Sequence, residues 1–219
     1  MKTVTNWLVI LHTCVYMLIY YGTSPTSSAY SKALDFPDVL TGIVKAATPA
    51  AAFVSTFFYN FTLGKKYLPA YIISWICLIV GSFFYYAALT VHSVPLLVAG
   101  RILFGWGGGK VITRAYFATE INPKNKALWS GILVASIAFS LTGGPGISAF
   151  FEFIPDFDIL FLKTRTYNFF AGVFTLIALI SSIIFFVLFQ DKKSDDNKIV
   201  VPFPVIGKEG EEAEPRKIL

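Results

Sequence analysis

Leu68-Pro-Ala-Tyr-Ile-Ile-Ser-Trp-Ile-Cys-Leu-Ile-Val-Gly-Ser-Phe-Phe-Tyr-Tyr-Ala-Ala-Leu-Thr90 runs for 23 residues without one charged side chain. About 20 predominantly apolar residues in a helix cross the roughly 30 Å of a bilayer's hydrocarbon, so this stretch reads as a membrane span. Working outward, Asn6–Gly22, Asp38–Tyr59, Val94–Phe117, Ala127–Phe151 and Tyr167–Gln190 read the same way. Helices are required, because an open sheet would leave backbone N–H and C=O groups unsatisfied in lipid. The expectation is an all-α, polytopic membrane protein: six transmembrane helices within residues 1–190, then a polar tail over 191–219.

Composition agrees. Of 219 residues, 55% are hydrophobic and only 14% charged, where a soluble domain carries about a quarter charged. The net charge of +5 does not point to nucleic acid, since the cations are scattered among apolar runs rather than gathered in a basic stripe. Cys14 and Cys77 lie inside apolar segments and read as small buried hydrophobes; no metal-ligand spacing and no cofactor motif is present. Met1-Lys2-Thr3 before an apolar run has the look of a secretory signal, but no small-residue cleavage site follows Tyr20-Tyr21, so this segment reads as a helix that stays. No paired carboxylates or nucleophile–base pair face a common site, which argues against an enzyme.

The connections are polar. Gly22-Thr-Ser-Pro-Thr-Ser-Ser28 reads as a turn, Leu63-Gly64-Lys65-Lys66 as a short basic loop, and Ile121-Asn-Pro-Lys-Asn-Lys126 as another; Glu152 to Arg165 is the longest. With six spans, Lys2, Lys65, Lys66, Lys124, Lys126, Lys192 and Lys193 share one side. Lys32, Lys163 and Arg165 fall on the other, with Asp35, Asp38, Glu152, Asp156 and Asp158. Cations in short loops mark the cytoplasmic side, so both termini are expected there. The tail after Gln190 has too little apolar content to pack and is expected to be disordered.

Four cations lie inside the expected spans: Lys45 in the second, and Arg101, Lys110 and Arg114 in the fourth. Each costs roughly 2.5–3.5 kcal/mol at the bilayer centre on insertion scales and usually faces a cavity or a partner. No acid within these spans can neutralise the set, Asp38 standing only at the outer end of the second, so a mobile anion, the substrate, is the simplest partner. The bland alternatives are that Arg114 snorkels to headgroups, that Arg101 bonds backbone carbonyls, or that acids of a second half pair with the set. Lys110 and Arg114 share a helix face, while Arg101 lies nearly opposite, and all three line one path only if the helix bends. His12, in the first span, is a candidate proton-coupling residue, the alternative being a packed structural histidine.

The fourth span carries Gly100, Gly105, Gly107, Gly108 and Gly109, and the fifth Gly143-Gly144-Pro145-Gly146. Glycine costs helix propensity, and close helix approach in lipid is the usual return. Pro145, like Pro49 in the second span, can kink its helix. These are expected to be packing or gating points.

Gly100-Arg101-x-x-x-Gly105-x-Gly107 resembles the fourth-helix motif of the major facilitator superfamily, and Gly143-Gly144-Pro145 resembles its fifth-helix motif. Leu63-Gly64-Lys65-Lys66 is similar to its basic loop signature, although the acid of that signature is absent, with Phe61 and Thr62 near its place. Tyr16-Met17, Pro25-Thr26-x-x-x-Tyr30-Ser31, Gly42-Ile43-Val44, Arg114-x-Tyr116 and Phe161-x-x-x-Thr164 resemble the SPX-type branch, the vacuolar phosphate transporters, and related lysosomal proteins. The resemblance covers about Asn6 to Gln190. It implies half of a facilitator fold that moves inorganic phosphate or another small anion by alternating access in an endomembrane. A second six-helix half, from further chain or a dimer mate, would complete it. An anion channel and a non-transporting scaffold subunit are the competing readings.

Overall fold

The computed structural model describes residues 2–37, 41–62, 66–159 and 162–189. The basic loop at Leu63–Lys65, Asp38 and the tail from Gln190 onward lie outside the described residues. In chain order the elements are α1 (Lys2–Ala33), α2 (Thr41–Thr62), α3 (Leu68–Val91), α4 (Val94–Trp106), α5 (Lys110–Thr119), α6 (Pro123–Phe151), β1 (Phe157–Ile159), β2 (Leu162–Thr164) and α7 (Thr166–Leu188). Four helices are long and apolar enough to cross a membrane: α1 from Thr3, α3, α6 and α7. Not one of the seven described helices contains Asp or Glu.

Helix α1 packs against α6 and α7 and touches α2; α3 packs on α4 and α7, and α2 on α4. Outward positions are apolar: Leu176, Ile180, Ile183 and Val187 on α7, and Leu128, Val134, Phe139 and Phe150 on α6, are all exposed. A water-soluble monomer rarely shows so large a continuous apolar surface, and lipid is its natural partner.

Three expectations change. The first span does not end at Gly22, because α1 runs on to Ala33 through the segment read as a polar turn. Thr23, Ser27 and Ser31 turn their hydroxyls back onto the carbonyls of Ile19, Thr23 and Ser27, at 2.7–2.8 Å. In the dry interior these bonds replace water, so residues that favour a turn in solution serve as an inward polar face. Tyr30 anchors the far end, donating to the Tyr85 carbonyl at 2.7 Å and accepting from the Leu89 amide at 2.8 Å.

Second, the fourth span is two helices. Three consecutive glycines, Gly107–Gly109, separate α4 from α5. Third, the all-α expectation misses one hairpin, β1 with β2, paired antiparallel with Phe157 opposite Thr164. Arg165 holds it, bonding Asp158 at 2.9 Å and reaching Asp156 at 3.4 Å. These carboxylates are more than half exposed, so water screens the pairs heavily and their contribution is small. Tyr86 reaches Thr164 Oγ1 at 2.6 Å, and Asn168 donates to the Tyr86 and Lys163 carbonyls, tying the hairpin to α3 and α7. Pro49 and Pro145 both sit within continuous helices.

Candidate functional site

The break between α4 and α5 organises the centre of the bundle. Each glycine costs a helix interior about 1 kcal/mol relative to alanine, so three in a row favour interruption. Gly109 has φ +51°, a left-handed backbone that glycine adopts without strain. A helix end inside a membrane protein leaves carbonyls that need donors from the protein itself. Here neighbouring helices supply them. Tyr59 of α2 donates to the Trp106 carbonyl at 2.7 Å, and Ser74 of α3 donates to that of Gly107 at 2.8 Å. Thr48 of α2 donates to the Arg101 carbonyl at 3.0 Å, and the Gly108 amide turns back to Gly105 at 3.3 Å. Replacing Tyr59 with Phe is expected to destabilise the protein by about 1 kcal/mol, since one half-buried carbonyl loses its donor. Thermal melting in detergent checks this against Thr56→Val, where only an exposed hydroxyl bonded within its own helix is lost.

Around the break lies His12, fully buried, with ring centroids 5.2 Å from Tyr71 and 4.8 Å from Trp75. Its Nε2 is 2.9 Å from Ser74 Oγ. Beside it, Thr13 of α1 and Tyr71 of α3 both meet the Thr113 hydroxyl of α5, at 3.2 and 3.4 Å. A chain of hydroxyls therefore joins three helices across the core.

The four intramembrane cations separate into two groups. Arg101 is 1% exposed. Its Nη2 donates to the Thr23 carbonyl of α1 at 2.6 Å and to the Ser27 hydroxyl, and its guanidinium lies 5.0 Å from the Tyr85 ring centroid. It is a tie between α4 and α1, held by a carbonyl and an aromatic face. Lys110 and Arg114 are exposed one turn apart on α5, with Lys110 Nζ 5.9 Å from the Tyr16 ring centroid. Lys45 is exposed on α2, outside the buried stripe of Val44, Thr48, Ala51, Ser55 and Tyr59. The structure thus pairs Lys110 with Arg114 and leaves Arg101 inside the bundle.

The glycines divide similarly. Gly105 meets the backbone of α2, Gly107 faces Leu78, Gly108 the Tyr16 ring, and Gly109 His12. On α6, Gly144 crosses close to Gly22 of α1, Gly143 has only ordinary contacts, and Pro145 is half-buried beside them. Reading the sequence missed the hydroxyls that cap the break. Their signal was present as helical spacing: Thr48, Ser55 and Tyr59 fall on one face of α2, as do Thr23, Ser27 and Ser31 on α1.

Long apolar helices with lipid-ready faces, folded around a broken helix whose carbonyls are capped from its neighbours, define a polytopic membrane protein. The chain belongs to the Major Facilitator Superfamily, which it matches over residues 8–208. That is a family of membrane transporters, not of enzymes. Among similar proteins is an SPX domain-containing membrane protein of Arabidopsis thaliana, 28% identical over 159 residues, covering 73% of this chain and 22% of the relative. Another, from Oryza sativa subsp. indica, is 26% identical over 143 residues, covering 65% of this chain and 20% of the relative. The chain spans about a fifth of the length of these curated relatives.

Proposed function

We propose that this chain forms one half of a carrier for inorganic phosphate or a related small anion. Lys110 and Arg114 of α5 are the groups that hold the anion. One observation carries the reading: these two cations are presented together on an exposed face, and the seven described helices contain no carboxylate to neutralise them. A bidentate guanidinium and an ammonium one turn apart suit a tetrahedral oxyanion, each giving a charge-assisted hydrogen bond. The similarity to SPX-type membrane proteins supports phosphate as the first anion to try. In this reading α4 and α5 together make one span and α2 another, for six in all. Both termini face the cytoplasm, and a second six-helix half completes a path with its site near the midplane, as in transporters built from repeats. In the same reading the carrier works in a vacuolar or lysosomal membrane, which the resemblance to the SPX-type branch supports.

The test is phosphate uptake by the purified protein in liposomes. Lys110→Gln with Arg114→Gln is expected to cut phosphate flux at least about tenfold, since charge-assisted bonds are worth about 1.5–3 kcal/mol each. The melting temperature should stay unchanged, because both side chains are exposed. Flux unaltered in the double variant would remove these residues from the site. A voltage-driven current without saturation would make the protein a channel.

A further inference from the structure

Ser74 has one hydroxyl proton, and it goes to the Gly107 carbonyl oxygen at 2.8 Å. The Ser74 hydroxyl oxygen itself is 2.9 Å from His12 Nε2, so toward the imidazole it can only accept. Nε2 therefore carries the ring proton, and Nδ1 is a bare lone pair. That Nδ1 is buried and has no partner. Nothing in the packing requires a basic nitrogen there, and an unpaired acceptor in a dry interior works against stability.

The surroundings say what the lone pair faces. From α3 come Tyr71, Ser74 and Trp75, and from α7 Phe185, its ring centroid 6.4 Å away. From the break comes the Gly109 backbone, where an added Cβ would lie 2.8 Å from His12 Cε1 and 3.5 Å from Nδ1. Glycine there lets the imidazole lie directly against the first turn of α5. One turn further along α1 is Tyr16, with the Lys110 ammonium over its ring. The titratable and charged groups in this set are the phenols of Tyr71 and Tyr16 and the Lys110 ammonium, with no carboxylate on any of the seven described helices.

We infer that His12 Nδ1 is a proton-binding site, and that its proton and the anion at Lys110 bind together. The inference rests on the anion reading above and adds its coupling ion. The proton adds to the Nδ1 lone pair, the Nε2–H bond to Ser74 stays, and the ring gains one positive charge. With the Lys110 ammonium over the Tyr16 ring one turn along α1 and no acid on the described helices, that charge is tolerated only when negative charge arrives at α5. Linkage then runs both ways: the anion favours the proton by the same factor as the proton favours the anion. Ser74 carries the event to the backbone, because the hydroxyl that accepts from His12 is the one capping the Gly107 carbonyl. Proton occupancy thereby bears on the break itself.

Two measurements decide it. The chain has two histidines, so His92→Gln in the otherwise intact, 15N-histidine-labelled protein leaves His12 as the only imidazole signal in lipid nanodiscs. Without phosphate near neutral pH, the ring is expected as the neutral Nε2–H tautomer. In acid, the doubly protonated fraction at any given pH is expected to be larger with phosphate than without it. An Nδ1–H tautomer at the outset, or titration indifferent to phosphate, overturns the inference. In liposomes, His12→Gln keeps an amide donor for Ser74 but takes no proton. It should reduce net uptake driven by a proton gradient at least about tenfold more than it reduces phosphate exchange, within the usual range of coupling between sites. Equal losses would make His12 a packing residue and overturn the inference. Phosphate that neither moves across the liposome wall nor binds the wild-type protein in nanodiscs sinks the anion reading, whereas phosphate that binds without changing the His12 titration sinks only the coupling.

Discussion

Gly105→Ala is expected to leave little folded protein. A Cβ on Gly105 would stand 2.6 Å from the Ala51 Cβ and 2.7 Å from the Ala52 amide nitrogen, and closer still to the Thr48 carbonyl oxygen. Two of those three neighbours are backbone atoms, so no rotamer change relieves the clash and α2 itself must move. Moving α2 also pulls away the caps on the Arg101 and Trp106 carbonyls, which come from Thr48 and Tyr59. Overpacking typically costs about 1–3 kcal/mol, and coupling it to lost caps puts this site at about 3 kcal/mol or beyond. That is a large part of the roughly 5–15 kcal/mol that holds a typical domain folded. Monodisperse yield and melting midpoint in detergent provide the measurement. Gly131→Ala on α6 is the control, since nothing lies within 4 Å of its added Cβ. If the two variants melt together, α2 and α4 are not in the close register described.

Arg101→Leu is expected to destabilise the protein by about 3 kcal/mol, because a buried carbonyl and a buried hydroxyl on α1 both lose a charged donor. Arg101→Lys should recover only part of this, as one ammonium cannot reproduce a planar guanidinium lying against the Tyr85 ring. The decisive comparison is with the α5 pair. Arg101→Leu should lower the melting temperature while the protein that still folds keeps its phosphate affinity, whereas Lys110→Gln with Arg114→Gln should do the reverse. Loss of affinity in folded Arg101→Leu would return that residue to the anion site.

Where the sequence was legible, one physical constraint spoke alone. The apolar runs of α3, α6 and α7 had to be helices in lipid, and they are, to within a few residues at either end. The glycines of the fourth span announced close packing, but a bend there was readable only as the condition for Arg101, Lys110 and Arg114 to line one path, and Arg101 instead turns into the bundle. Which cations were free was not readable. Arg101 and Lys110 look alike as charges in an apolar run, and the difference lies in Thr23 and Ser27, more than 70 residues away in the chain. Those hydroxyls were themselves read as a solvent turn, because turn propensity is learned in water and the bundle interior inverts it. The role of Ser74 was hidden for the same reason: one serine in an apolar helix carries no pattern until its partner, a carbonyl freed by a break elsewhere, is in view.

The extension of α1 past Gly22 bears on how the protein sits among membranes of different thickness. At 32 residues it is about 48 Å long, well beyond the roughly 30 Å apolar slab it must traverse. Tilts above about 40° are not seen, so one end must overhang into the headgroup zone. Between Gly22 and the exposed Lys32 of the last turn, the outward positions Ser24, Pro25, Ser28 and Ala29 are uncharged and only weakly apolar, while the hydroxyls of Thr23, Ser27 and Ser31 are spent inside the bundle. Such a surface is nearly indifferent to whether acyl chains or water lie against it. Organelle bilayers differing by a few ångströms would therefore shift the boundary along this stretch with little hydrophobic-mismatch strain on the helices around it.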